Sequence, residues 1–179
     1  GDVNVTPSNM QASVIMNSQI GSVVSDLKIN NIDEIDTASY IGDVKLVNFN
    51  IGKFFNDPLF GNVSLNGDVN GSGFKLDNIY TKFIGNITEL NFNNYSYKNI
   101  VANGQYQNNK FDGDLVIDDT NFKMKFNGLA DLSSAIHKFD FKSDISYLNL
   151  KETNLFIRDT VSVVKGKIEL DIEGNTLDD

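Results

Sequence analysis

Apolar and polar residues alternate with a period of two along almost the whole chain of 179 residues. This period is typical of β-strands, because successive side chains of a strand point to opposite sides of its sheet. The polar positions are mostly Lys, Asn, Asp and Ser, so we expect a sheet with one dry face and one wet face. The alternation predicts nine strands, in residues 23–29, 40–46, 63–69, 83–87, 100–106, 111–117, 122–126, 139–147 and 164–172.

The connections between these strands are rich in asparagine, aspartate and glycine, which tolerate positive φ in tight turns. Asn108-Asn109 and Asp119-Thr120 predict hairpins between neighbouring strands. Short connections of this kind join consecutive strands into an antiparallel meander, so the predicted fold class is all-β. Residues 51–56 and 150–156 break the alternation, and each predicts a turn or two of helix at an end of the sheet.

The composition argues against several classes of function. The chain has 15 Lys+Arg and 24 Asp+Glu, a net charge of −9, whereas nucleic acids and anionic membrane surfaces favour basic patches. Cysteine is absent, which excludes disulfides and thiol chemistry and leaves the compartment open. The single histidine, His137, has no second histidine or cysteine to share a metal with, so we expect it on the surface. We also expect no signal peptide in residues 1–6 and no membrane-spanning helix.

The acidic residues are dispersed over the wet face and the turns. Residues 66–71 lack the full spacing of a calcium loop and its final glutamate, so solvated turns are the expected role of these carboxylates. No two of them are placed across one cleft, as a glycosidase requires. Gly71-Ser72-Gly73 is not followed by the lysine of a phosphate-binding loop. We therefore predict a protein without enzymatic activity, metal or cofactor. The acidic clusters are Asp33-Glu34 with Asp36, Asp118-Asp119 and Asp178-Asp179.

An internal repeat is visible in the sequence. Residues 42–46 resemble residues 143–147, an offset of 144 − 43 = 101 residues, and the same offset places Gly73 on Gly174 and residues 76–77 on residues 177–178. Such a period is typical of elongated repeat structures. We expect one continuous segment over residues 1–179 with units 1–42, 43–143 and 144–179, of which only the middle one is complete. Both ends of the sequence are expected to be arbitrary cuts through a longer structure.

A single meander with one apolar face must cover that face. It could close into a barrel or a sandwich, or curl into an elongated open groove with an apolar interior. The repeat favours the groove, because stacked units extend it, and glycines on the dry face permit curling. The predicted interior residues are Val44, Leu46, Val63, Leu65, Val69, Phe83, Ile87, Ile100, Tyr106, Phe111, Leu115, Ile117, Phe122, Met124, Phe126, Phe139, Phe141, Ile145, Tyr147, Val164, Ile168, Leu170 and Ile172.

Two stretches resemble a known family. Residues 44–79, VKLVNFNIGKFFNDPLFGNVSLNGDVNGSGFKLDNI, resemble the repeats of AsmA-like proteins. Residues 87–133 are similar to the TamB members of that family, from the translocation and assembly module of Gram-negative bacteria. The most specific strings are Y-x-YKNI-x-x-x-G at 95–104 and FDG-x-L-x-[IV]-x-D-x-N-x-x-x-x-x-NG at 111–128. The similarity covers most of residues 40–179, whereas residues 1–39 resemble the family only in their general sequence character.

The resemblance implies a periplasmic location as part of a protein anchored in the inner membrane by an N-terminal helix. Proteins of this family have taco-shaped β-grooves. The resemblance implies that this segment carries phospholipid between the inner and outer membranes during outer-membrane biogenesis. Its implied partners are phospholipid acyl chains and, through other parts of the protein, a BamA-like barrel protein. An assembly factor for outer-membrane barrels and an extracellular β-repeat adhesin remain alternatives. Residues 36–38 and 159–161 match a loose bacterial O-glycosylation pattern.

Overall fold

The computed structural model describes residues 3–6, 9–31, 33–34, 36–75, 78–134, 136–155 and 163–174. These residues form eleven β-strands and one short helix, α1 (Ile51–Phe55). The all-β prediction is therefore confirmed. The strands are Val3–Thr6 (β1), Asn9–Ser18 (β2), Gly21–Asn30 (β3), Ser39–Asn50 (β4), Phe60–Ser72 (β5), Tyr80–Phe92 (β6), Tyr95–Gln107 (β7), Lys110–Asp118 (β8), Phe122–Asp131 (β9), His137–Asn149 (β10) and Val163–Gly174 (β11).

The strands form one open antiparallel sheet in which each strand pairs with the next one in sequence. This meander is the predicted topology, and β1 and β11 are its two edges. The prediction of nine strands was wrong, because it missed β1 and β2. In β2 the consecutive apolar residues Val14, Ile15 and Met16 blur the period-two alternation. Within the described ranges, no helix has the length and apolar character needed to cross a membrane.

The strand register brings the residues of one face into continuous rows. Val44 of β4, for example, pairs with Ser25 of β3 and with Gly67 of β5. Because directly paired residues lie on the same face, a row keeps to one side of the sheet as it crosses the strands. Along most strands, buried or half-buried residues alternate with exposed ones. We call the side that carries Val44 the shielded face and the opposite side the exposed face.

Asparagine supplies the unusual backbone conformations of this fold. Among the described residues, nine non-glycine residues have positive φ, and every one is asparagine. The short polar side chain makes the left-handed region accessible at little cost. Asn108 and Asn109, with φ of 49° and 57°, form the predicted turn between β7 and β8. Asn48, with φ of 50°, lies in a register shift of β4 between Leu46 and Phe49.

The two stretches that break the alternation differ in structure. Residues 51–55 form α1 as predicted, where the Asn50 side chain accepts a hydrogen bond from the Lys53 N–H at 2.7 Å. Residues 150–155 form turns instead of the predicted helix. The Thr153 N–H bonds back to the Asn149 carbonyl at 3.0 Å, as in a helical turn, but Asn154 then adopts φ of 57° and ends it. Residue 156 lies outside the described residues.

Asp43 and Asp144, the anchors of the proposed repeat, lie in β4 and β10. Each strand contains a register shift a few residues later and then leaves the sheet, into α1 or into residues 150–155. These are local similarities between the two segments. The repeat of about 100 residues remains a prediction, and residues 76–77 and 177–178 lie outside the described residues.

The main buried cluster lies on the shielded face near one end of β7 to β10. Residues 150–155 lie against this end, where the Tyr97 hydroxyl donates to the Thr153 carbonyl at 2.9 Å. Thr153 is completely buried. Fully burying one large apolar side chain stabilises a protein by about 1.5–3 kcal/mol, so this cluster is a main anchor of the sheet. Its members are Tyr97, Ile100, Ile117, Phe122, Ile145 and Leu148.

Candidate functional site

The predicted interior residues lie together on one continuous face of the sheet, the shielded face. The strand register places every one of them there except Tyr147, although Ile172 near the end of β11 is 46% exposed. They are distributed over β4 to β11, so the face extends across these strands and is not a single pocket. Two further strands extend this face. β2, which the prediction missed, contributes Met10, Val14 and Met16, and β3, which was predicted as a strand but is absent from the list of interior residues, contributes Val23, Leu27 and Ile29.

Tyr147 lies on the opposite side from the prediction. The pairing of β10 with β9 shifts between Ile145 and Tyr147, which places Tyr147 opposite Lys123. The ammonium of Lys165 lies 5.7 Å from the centroid of the Tyr147 ring. An extra residue in one strand reverses the alternation beyond it. Leu148 takes the expected place on the shielded face, with 6% of its surface exposed.

The row through Leu46 is apolar across ten strands. Nine spacings of ~4.8 Å give this band a width of about 43 Å along the sheet. The row contains only aliphatic and methionine side chains, apart from a glycine at its end on β11. It runs through Met16, Val23, Leu46, Leu65, Ile87, Ile100, Ile117, Met124, Ile145 and Gly166.

The neighbouring row through Val44 has smaller side chains in its middle. It carries glycine or alanine on β5, β6 and β7 and serine on β3 and β10. The middle of this row therefore has a lower surface than the row through Leu46. The row runs through Val14, Ser25, Val44, Gly67, Gly85, Ala102, Leu115, Phe126, Ser143 and Ile168.

Aromatic rings cover several glycines of this face. A Cβ built on Gly67 or on Gly85 would lie 2.8 Å from a ring atom of Phe83, so the ring rests directly on the backbone of both strands. Aromatic side chains that cover glycines in this way compensate for the missing side chain. On β8 to β10 the ring centroids of Phe111 and Phe126 are 6.0 Å apart, and those of Phe126 and Phe141 are 5.0 Å apart. Phenylalanine therefore forms much of the surface on this half.

Polar groups on the shielded face are few. Ser143 is 5% exposed, and its hydroxyl has no hydrogen-bond partner. It pairs with Phe126 on one side and Ile168 on the other, so its surroundings are apolar. An unpaired buried hydroxyl costs about 1–3 kcal/mol. Ser143 is therefore a polar group that its apolar neighbours on this face leave unpaired.

A polar network at the turn between β8 and β9 borders the buried cluster. Asp119 is 3% exposed, and its carboxylate accepts hydrogen bonds from the Tyr95 hydroxyl at 2.5 Å and the Asn121 N–H at 2.8 Å. Burial raises the pKa of Tyr97 to about 12, with the nearby Tyr95 and Asp119 adding to the effect. Burial also raises the pKa of Tyr95, as does its bond to Asp119. These hydrogen bonds fix the turn, and Tyr95 also lines a depression of about 380 Å³ beside Leu59 and Phe60.

The exposed face carries the charges. Asp26, Asp43 and Asp68 are directly opposite one another on β3, β4 and β5. Two surface depressions, of about 560 and 580 Å³, are bordered mainly by exposed-face residues of β2 to β5 and of β8 to β11. In the part of the chain that the structure describes, no group of three acidic or histidine side chains is arranged to hold a metal ion.

The remaining predicted positions lie at turns or strand ends. His137 starts β10 and contacts the Phe139 ring. Asp36 forms an ion pair with Lys75 at 2.6 Å. Thr37, in the first O-glycosylation match, is exposed. The second match, residues 159–161, and the pair at 178–179 lie outside the described residues.

Comparison with known proteins adds no family assignment. The sequence matches no protein-family model, and neither a curated protein nor a solved structure is significantly similar to it.

Proposed function

We propose that this chain is a groove segment of a periplasm-spanning protein and carries phospholipid between the inner and outer membranes, without enzymatic activity. The shielded face is the apolar interior of that groove, and acyl chains lie against it while headgroups project through the open side. The observation that carries the proposal is the run of apolar rows: the two rows through Leu46 and Val44 cross ten strands without a charged side chain.

The architecture supports an occupant on this face. The described strands form one sheet, and no second sheet or long helix packs over it within the described ranges. Each CH₂ group that moves from water onto such a surface contributes roughly 0.8 kcal/mol. Acyl chains are mostly CH₂, so they match the chemistry of the face better than any polar ligand.

The regularity of the rows supports movement along the groove. Aliphatic or aromatic side chains recur on each strand from β2 to β11, so a bound chain meets many weak contacts of similar strength. A single deep pocket would instead trap it. The resemblance to the TamB and AsmA-like family and the proposed repeat of about 100 residues support a longer groove in which this segment is one part.

Two variants of neighbouring residues on β8 test the proposal. Leu115 lies on the shielded face, in the row through Val44, and Val116 lies on the exposed face with 39% of its surface exposed. Leu115→Asp places a charge in the path of the acyl chains, which costs several kcal/mol when unpaired. Val116→Asp makes the same change in the same strand on the other face.

The measurement is native mass spectrometry of each protein after incubation with vesicles of phosphatidylethanolamine and phosphatidylglycerol. We expect bound phospholipid in the unmodified chain and in Val116→Asp, and a strong loss in Leu115→Asp. Circular dichroism checks that each variant is folded. If Leu115→Asp unfolds, Leu115→Gln replaces it as a smaller, uncharged perturbation. Equal lipid binding by both folded variants, or none by the unmodified chain, contradicts the proposal.

A second candidate function, an assembly factor for outer-membrane β-barrel proteins, is favoured by one edge of the sheet. β1 pairs with residues 9–12 of β2, and residues 13–18 of β2 have no second strand partner among the described residues. Free backbone groups at such edges can add a strand from a nascent barrel protein. Binding of synthetic barrel-strand peptides, unaffected by Leu115→Asp, would favour this function over lipid transport.

A further inference from the structure

The shielded face of β8 to β10 is buried at one end of these strands and open at the other. Phe122 lies in the buried cluster, against which residues 150–155 pack. Towards the opposite strand ends, Phe111 and Phe139 are only half-buried. From Phe139 to Ser143 the strand rises about 13 Å, close to half of the ~30 Å hydrocarbon core of a bilayer. This open half is therefore long enough to hold much of an acyl chain laid along the strands.

Phenylalanine rings form the surface of this open half. The ring of Phe126 lies between those of Phe111 and Phe141, with centroids 6.0 and 5.0 Å apart. The ring of Phe139 follows at 6.2 Å from that of Phe141. All four side chains are half-buried, so part of each ring remains accessible. Aromatic rings carry a large apolar surface, and these four extend that surface without interruption across β8, β9 and β10.

A row of alternating charge lies at the strand ends, one residue beyond these rings. Lys110 of β8 pairs with Asp131 of β9, Asp131 pairs with Lys138 of β10, and Lys138 pairs with Glu173 of β11. Neighbouring strands are ~4.8 Å apart, so groups of opposite charge recur at about that spacing. On β3 to β7 the same row is uncharged. It consists there of Asn30, Ser39, Ser72, Tyr80 and Gln107.

The charged groups of this row satisfy one another only in part. The Lys110 ammonium lies 3.5 Å from the Asp131 carboxylate, which is longer than the 2.7–2.9 Å of a close charged hydrogen bond. The Ser133 N–H donates to the same carboxylate at 3.0 Å, and the Ser133 hydroxyl donates to it as well. These two bonds hold the pKa of Asp131 below its usual range, so it is ionised at neutral pH. An ionised carboxylate has about four acceptor positions, so Asp131 has capacity for a further donor.

We propose that the row Lys110–Asp131–Lys138 binds the headgroup of phosphatidylethanolamine, whose acyl chains lie on the four phenylalanine rings. This headgroup carries a negative phosphate beside a positive ammonium, which match the two lysines and Asp131 in turn. Its ammonium also donates hydrogen bonds to a carboxylate, whereas the quaternary ammonium of phosphatidylcholine has no N–H to donate. Phosphatidylglycerol provides an anion for the lysines but no cation for Asp131. This inference rests on the proposed function and adds selectivity for one headgroup to it.

The position of the row agrees with this orientation of the lipid. An acyl chain that lies along the open half with its tail towards the buried cluster has its headgroup at the strand ends. Leu132 and Ile136, in the connection between β9 and β10, are exposed and add apolar surface close to the row. At the opposite ends of β8 and β9, Asp118 is paired with Lys123 and Asp119 is buried. The headgroup is therefore expected at the end that carries Lys110 and Lys138.

Native mass spectrometry tests the selectivity after incubation with vesicles of equimolar phosphatidylethanolamine, phosphatidylglycerol and phosphatidylcholine with identical acyl chains. We expect the unmodified chain to retain phosphatidylethanolamine over each of the others by roughly three- to fivefold, as for exposed charge pairs. Asp131→Lys replaces the partner of the ammonium with a third cation. We expect it to bind the same total amount of lipid and to prefer phosphatidylglycerol.

Asp114→Lys is the matched control, because it changes the net charge equally on the exposed face of β8, between Asn103 and Asn127. It should keep the preference of the unmodified chain. If circular dichroism shows that Asp131→Lys is unfolded, Asp131→Asn replaces it and should abolish the preference without inverting it. Equal retention of the three lipids by the unmodified chain, or equal ratios in the Asp131 and Asp114 variants, would overturn the headgroup site alone. Absence of all three lipids from the unmodified chain would overturn the proposed function and this site together.

Discussion

Asn93 and Asn154 exchange two hydrogen bonds between positions 61 residues apart in the sequence. The Asn93 side chain donates to the Asn154 carbonyl at 2.7 Å, and the Asn154 side chain donates to the Asn93 carbonyl at 3.0 Å. The Asn93 N–H also donates to the Leu59 carbonyl at 2.9 Å. The turn between β6 and β7 is therefore hydrogen-bonded both to the segment that follows α1 and to the segment that follows β10. These bonds connect the three segments at one end of the sheet.

Asn154→Gly removes one side chain of this exchange while keeping the positive φ accessible. We expect a loss of about 1–2 kcal/mol in the free energy of unfolding, measured by urea denaturation, because a hydrogen bond is lost and the Asn93 carbonyl loses its donor. Asn94→Gly is the matched control, since Asn94 has φ of 62° and an exposed side chain. Equal effects of the two variants would show that the exchange does not stabilise the fold.

Stability is expected to fall at high pH because of Tyr97. Burial raises the pKa of Tyr97 from 10.0 in the unfolded chain to about 12 in the folded one. Between these values the unfolded chain has lost the proton and the native state keeps it. The contribution of the protonated Tyr97 hydroxyl to the free energy of unfolding is therefore complete below pH 10 and is lost as the pH rises to 12.

The Tyr97→Phe variant tests this assignment by thermal unfolding from pH 8 to pH 12. At neutral pH the variant should be less stable by about 1 kcal/mol, since the hydrogen bond to Thr153 is lost. Its decline above pH 10 should be shallower than that of the unmodified chain. Parallel declines would show that Tyr97 is not the titrating group.

Two buried hydroxyls on the shielded side should respond oppositely to removal. Ser143→Ala removes a hydroxyl without a partner, so the free energy of unfolding should stay unchanged or rise by up to about 1 kcal/mol. Thr153→Val removes a hydroxyl that donates to the Asn149 carbonyl at 2.7 Å, and should cost about 1–3 kcal/mol. Chemical denaturation of both variants measures the difference. A clear destabilisation by Ser143→Ala would mean that its hydroxyl is bonded.

The acidic row on the exposed face should weaken the sheet. Asp43 lies between Asp26 and Asp68, so Asp43→Asn relieves two like-charge contacts. We expect a gain of roughly 0.2–1 kcal/mol at low ionic strength that disappears in salt. Asp112→Asn is the control, because Asp112 pairs with uncharged Gln105 and Leu129. A gain no larger than that of the control would contradict the register.

The alternation was sufficient to predict the fold class, the meander and the common face of nearly all the listed interior residues, because a period of two requires only local information. It did not find the part of that face on β2. The alternation failed to predict the face of Tyr147, where one extra residue enters the strand between Ile145 and Leu148. The residues of that stretch contain no signal that predicts a bulge. The hydrogen bonds between Asn93 and Asn154 were not predictable, because they join two turns that only the complete sheet brings together.

The most direct test of the central claim is photo-crosslinking of phospholipid to the shielded face. Phe126 on this face and Val116 on the exposed face are each replaced by p-benzoylphenylalanine, and the proteins are irradiated with phospholipid vesicles. Mass spectrometry then detects covalent lipid adducts. The account predicts adducts at position 126 and few or none at position 116. Equal labelling at both positions, or labelling at position 116 alone, would contradict it.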